Sequence, residues 1–188
     1  MRRILLALVA TVLLTACNQG DEQGTAPATA APNDADVTFT QNMIPHHQQA
    51  IEMAKLIQAR TTRAELRELA DGIATSQGQE ITQMEGWLQR WGEASPGGMD
   101  HDAMQMPGMM SDADMQRLMD LEGAKFDLAF LDMMTAHHQG AIEMANTELR
   151  DGSLPEVKDL ARRIIDAQQT EIDQLEQWKQ DWSALPIR

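Results

Sequence analysis

Met43-Ile44-Pro45-His46-His47-Gln48-Gln49-Ala50-Ile51-Glu52-Met53-Ala54 recurs 91 residues later as Met134-Thr135-Ala136-His137-His138-Gln139-Gly140-Ala141-Ile142-Glu143-Met144-Ala145. The same displacement carries Phe39 to Phe130, Leu69-Ala70 to Leu160-Ala161, Ile73 to Ile164, and Gln77 to Gln168. It also carries Glu80-Ile81 to Glu171-Ile172, Glu85 to Glu176, and Trp87 and Trp91 to Trp178 and Trp182. A displacement that never drifts means one supersecondary unit duplicated without insertion. Each unit reads as two helices. The first runs from about Asp36 to Arg60, with its relative from about Ala124 to Arg150. Thr62-x-x-Glu65 is expected to cap the second helix, and Ser153-Leu154-Pro155-Glu156 to repeat the device after a Gly152 stop. The second helices then run to about Trp91 and Trp182. The expected fold class is all-α, a four-helix bundle made of two repeated helical hairpins with pseudo-twofold symmetry. The repeats occupy 36–92 and 112–184, joined by a Met-rich connection over 93–111. A short helix near Ser111 to Glu122, capped by Ser111-x-x-Asp114, precedes the second repeat.

The start of the chain is a separate matter. Arg2-Arg3 precede a short apolar run, Ile4 to Leu14, that has the layout of a secretion signal and is too short to span a membrane. Leu14-Thr15-Ala16-Cys17 resembles the lipobox of bacterial lipoproteins. That resemblance implies a signal peptide over 1–16 and acylation of Cys17, hence a periplasmic, lipid-anchored protein. Asn18 in place of Asp favours the outer membrane of a Gram-negative cell. Residues 17–35 are Gly, Ala, Pro, Thr, Gln and acid, and read as a flexible tether. Cys17 is the only cysteine, so the mature domain has neither an internal disulfide nor a thiolate ligand. The chain carries 29 acidic and 15 basic residues, a net charge of −14, which excludes nucleic acid and suits a cationic partner.

The candidate site follows from a helical wheel. Phe39, Met43, His46, His47, Ala50, Met53, Ala54 and Ile57 share one face, so the histidines flank the stripe that enters the core. Met43 and Met53 lie on the same face, as do Met134 and Met144 beside His137 and His138. Imidazole beside thioether is a soft to borderline ligand set that suits copper, Cu(I) or Cu(II), better than zinc. Core packing explains a single such histidine better than a ligand role does; a His-His pair present twice, at matching places in a symmetric bundle, points to metal. Pro45 either kinks the first helix beside its histidines or marks its start. On the second helices Gln77 and Glu80, with Gln168 and Glu171, interrupt an apolar stripe. A buried carboxylate there needs a partner, and a histidine of the facing helix is the expected one, as orienter or as fellow ligand. Glu52 and Glu143 fall opposite the histidine face. In the connection, Met99, His101, Met104, Met106, Met109 and Met110 lie among Pro and Gly. They form an auxiliary soft-metal segment, or a loop whose methionines cover the bundle.

Over about Asp36 to Trp182 these motifs resemble the bacterial domain-of-unknown-function family numbered 305. The resemblance implies a ferritin-like four-helix fold and export. Some members of that family are implicated in copper binding and copper resistance, which implies a copper role for His46, His47, His137, His138, Met43, Met53, Met134 and Met144. The function expected is that of a lipoprotein holding or sequestering copper, without a catalytic step. A ferritin-like di-metal oxidase is a second reading, disfavoured because Met-x-x-His stands where Glu-x-x-His would be required. A helical interaction module with satisfied core histidines is a third. The partners expected are the metal ion and the membrane; a second copy of the chain and a copper-delivery partner both stay open.

Overall fold

The computed structural model describes residues 30–95 and 106–184. Five helices follow one another: α1 (Asp34–Arg60), α2 (Ala64–Trp91), α3 (Asp112–Met119), α4 (Gly123–Asp151) and α5 (Pro155–Ser183). No strand occurs among the described residues. Helix α1 begins just inside the span read as tether. Asn33 caps it in a capping box, accepting from the Asp36 amide at 3.0 Å while its own amide donates to Asp36 Oδ2 at 2.8 Å. Pro45 lies well inside α1, so the reading of Pro45 as a helix start does not hold. Ser111 and Asp114 form the expected capping box of α3.

Two expected caps are corrected. Helix α2 starts one residue later than expected, with Arg63 rather than Thr62 at the cap position, and Arg63 offers no side-chain acceptor to the first amides; Thr61 Oγ1 accepts from the Arg63 amide at 3.1 Å. Helix α5 likewise lacks a side-chain cap. Ser153 is spent on a distant partner, its hydroxyl donating to Asp36 Oδ2 at 2.6 Å, and Pro155 opens the helix where a missing amide costs nothing. Gly152 does end α4, but with φ −67° rather than in the left-handed region.

Helix α1 packs on α2 within the first hairpin and α4 on α5 within the second. The hairpins join through α1 against α4, and α3 lies on α4. The apolar core is split in two. One lobe holds Met53 and Ile57 of α1, Leu66 and Ile73 of α2, Phe126, Phe130 and Met134 of α4, and Leu175 of α5. The other holds Phe39 and Met43 of α1, Met84 and Trp87 of α2, Ala141 and Ala145 of α4, and Leu160 and Ile164 of α5. Each large side chain buried there contributes about 1.5–3 kcal/mol relative to exposure. Because α1 and α4 run antiparallel, the residues between the lobes meet in one layer. That layer contains both His pairs, Gln77 with Glu80, and Gln168 with Glu171. No described helix is long and apolar enough to cross a membrane.

Candidate metal centre

Adjacent residues on a helix point about 100° apart, and this sorts the four histidines into two roles. His46 and His137 face one another across the α1–α4 contact, ring centroids 3.8 Å apart and planes tilted by 38°. His47 faces its own hairpin partner, with Nε2 2.6 Å from Glu80 Oε2. His138 repeats this, its Nε2 2.6 Å from Glu171 Oε2. All four imidazoles are fully buried, while the two carboxylates reach partial exposure at 20% and 21%. The pairing expected of Glu80 and Glu171 is thus the geometry observed.

These acceptors assign the tautomers. Nε2–H of His47 donates to a carboxylate, and Nε2–H of His46 donates to the Pro107 carbonyl at 3.1 Å. Nδ1 of each is left with a free lone pair, as second-sphere acceptors do at metal-bound imidazoles. Nδ1 of all four rings is buried without a hydrogen-bond partner. His137 has neither nitrogen in a hydrogen bond of good geometry, although its ring lies near the His46 backbone. Burial, then the neighbouring His47, pushes the His46 pKa down to about 3. Burial, then His46, His138 and His47, holds His137 well below the ordinary imidazole range. Both central rings are therefore neutral donors at physiological pH, the form a metal requires.

Met43 and Met134 are fully buried in opposite lobes, each one turn before its histidines, and Met53 is fully buried as well. Met144 departs from its counterpart Met53. It is only partly buried, and it lines a cavity of about 150 Å³ with Phe39, Asn42, Pro107, Glu143 and Glu148. Gln77 and Gln168 lie in the layer, buried; neither Gln77 nitrogen nor oxygen finds a partner, and Gln168 Oε1 has none. Neither glutamine therefore bonds a histidine. Among the described residues, no three His, Cys, Asp or Glu side chains converge as a ready-made cation cage. The two central rings lie in contact, tilted by 38°, where the hairpins meet. Met99, His101, Met104 and Cys17 lie outside the described residues.

Two contributors were not foreseen, although Pro107-Gly108 carries a turn signal. Met106-Pro107-Gly108-Met109 forms a turn closed by the Met109 amide on the Met106 carbonyl at 3.3 Å, with Gly108 at φ +76°. Pro second and positive-φ Gly third is type II turn chemistry. The turn sits on α4, where a Cβ on Gly140 would collide with the Pro107 backbone and one on Gly108 with the carbonyls of Ala136 and His137. Gln49 holds the next residue, Nε2 donating to the Met110 carbonyl at 2.8 Å and Oε1 accepting from its amide at 2.7 Å. The other contributor is a buried acid pair that fixes the start of α1. Asp36 accepts from the Ser153 and Leu154 amides at 3.1 and 2.9 Å. Burial raises its pKa, but hydrogen bonds from Ser153, Asn33, Leu154 and Glu148 outweigh that and hold the carboxyl below its usual value. Glu148, 1% exposed, is pushed up to about 8 by burial and by its hydrogen bond to Asp36. As a carboxylate Glu148 would have no donor at either oxygen; as an acid it donates to Asp36.

Residues 36–179 match a domain of unknown function (DUF305), and residues 1–18 match a prokaryotic membrane lipoprotein lipid attachment site. Among solved structures, a DUF305 protein of Streptomyces coelicolor described as secreted is 34% identical, covers 82% of this chain and 97% of its own, and superposes with a TM-score of 0.73. A DUF305 fragment from Deinococcus radiodurans is 34% identical over 81% of this chain and 99% of its own, with a TM-score of 0.74. CopM in its Cu(II)-bound form is 35% identical over 78% of this chain and 97% of its own, with a TM-score of 0.69. CopM has also been solved with Cu(I) bound. No curated protein matches the chain.

Proposed function

The chain belongs to the DUF305 family, and from that premise we propose that it is a lipid-anchored cell-envelope protein that binds and sequesters copper. The observation that carries this reading is the set of four buried Nδ1 atoms without partners. Each unpaired buried polar group costs about 1–3 kcal/mol, so a purely structural core would hold a standing penalty that a bound ion removes. His46, His47, His137 and His138 would hold the ion, with the buried thioethers of Met43, Met134 and Met53 as soft co-ligands and Met144 at the exposed edge. Neutral imidazole and thioether together favour copper, as Cu(I) or Cu(II), with zinc second. Glu80 and Glu171 would orient His47 and His138. Gln77 and Gln168 stand beside the ligands as acceptors without a role in orienting them. The connection bearing Met99, His101, Met104, Met106, Met109 and Met110 would collect ions from solution.

The likeness to copper-bound CopM supports the reading. A di-metal oxidase fits poorly, because the layer offers two carboxylates and each already faces a histidine. An interaction module with satisfied histidines fits poorly too, because Nδ1 of each ring has no partner. The reading needs no catalytic step. Its anchor is Cys17, on the periplasmic side of the outer membrane in a Gram-negative cell.

The test is anaerobic competition titration with Cu(I), on the wild-type chain and on a variant with His46, His47, His137 and His138 replaced by Ala. Tight binding lost with helicity retained is the expected result. Equal affinity in the two proteins overturns the proposal.

A further inference from the structure

The duplication is broken at one point of the layer. His47 and His138 each have a carboxylate, but His46 is held by the Pro107 carbonyl, whereas His137 has only the nearby His46 backbone and no hydrogen bond of good geometry among the described residues. The Met106–Met109 turn that supplies this carbonyl is not floppy chain resting on the bundle. Its backbone is interlocked with α4 at Gly140, and Gln49 grips the Met110 amide and carbonyl together. A bidentate side-chain grip and two close backbone approaches fix the turn where it meets His46.

We propose that this turn is a metal-retention latch. Its Pro107 carbonyl fixes the His46 ring so that Nδ1 presents to a soft monovalent ion, and the bound ion in turn holds the turn down. The proposal rests on the metal-holding reading above and adds its regulation. The physical link runs through one ring. An ion on Nδ1 withdraws electron density and makes Nε2–H a stronger donor, which tightens its bond to the Pro107 carbonyl. Coupling of this kind is reciprocal: whatever factor the docked turn adds to ion affinity, the ion adds to docking. Pro107 is thus a positioning residue that acts through His46, and release of the turn is the step that frees the ion.

Gly140→Ala tests this without altering any ligand, since the added methyl meets the Pro107 backbone while Ala suits a helix interior. Cu(I) affinity and release rate are measured anaerobically on the full chain, with hydrogen exchange of the Met110 amide followed with and without Cu(I). Gly140→Ala is expected to weaken Cu(I) binding roughly 10–100-fold, chiefly through faster release, as loss of an orienting partner does at other metal sites. In the wild type, Cu(I) slows Met110 exchange by a comparable factor, and Gly140→Ala abolishes that slowing. Should Gly140→Ala lose helicity, Gln49→Leu decides, because it removes the grip on Met110 without adding bulk. Wild-type affinity and release in a folded variant, or Met110 exchange indifferent to Cu(I), overturns the latch and leaves the metal reading standing. A wild-type chain that does not bind Cu(I) overturns the metal reading itself, and the latch with it.

Discussion

Replacing Glu148 by Gln should flatten the pH dependence of stability through the neutral range. Glu148 sits under the α4–α5 turn with its pKa raised from 4.5 to about 8, by burial first and by the hydrogen bond to Asp36 second. Between those two values the folded protein holds a proton that the unfolded chain has released. Stability from this group is therefore complete below about pH 4.5 and is lost as pH rises through about 8. One proton of difference is worth about 1.4 kcal/mol per pH unit, so the wild type should lose about 1–2 kcal/mol between about pH 6 and about pH 7.5 from this group. Gln keeps a donor toward Asp36 with nothing to titrate. Urea unfolding followed by helical circular dichroism, at several pH values on both proteins, gives the difference. Subtraction removes Asp36, Asp114, His46 and His137, whose lowered values act in the opposite sense, on the acid side of neutrality. Parallel stability curves for the two proteins would refute the shared proton. The consequence reaches the metal centre, because Asp36 ties the first turn of α1, the helix bearing His46 and His47, to Ser153 and Leu154.

Two further perturbations probe the layer and the lobe beside it. Glu80→Gln replaces the acceptor of His47 by an amide and should lower Cu(I) affinity roughly 10–100-fold with helicity unchanged, read by competition titration. Phe130→Ala empties part of the lobe that holds Met53 and Met134 and should cost about 3–5 kcal/mol in urea unfolding; a loss under about 1 kcal/mol would mean that the lobe refills.

Periodicity and duplication made the helices legible because a helix is decided by residues three and four apart, all of them in view along the chain. The same logic placed the histidines on the core face and gave Glu80 and Glu171 their partners, since a carboxylate on a core-facing stripe, even one that reaches partial exposure, seeks one. Caps were less legible. Thr62 and Ser153 have the right chemistry, but a cap competes with every other acceptor within reach, and Ser153 is won by Asp36 from 117 positions away.

The sequence by itself therefore determined four long helices in two like hairpins, and a layer in which two His-His pairs face the interior. Tertiary structure alone decided how that layer is wired. It stacked His46 on His137, gave His46 the carbonyl of a turn 61 positions on, left Met144 at a cavity mouth, and paired Asp36 with Glu148. Local pattern fixes which face of a helix turns inward. Which groups meet there depends on how the helices are set against one another, and that arises only when separated segments compete for the same buried donors and acceptors.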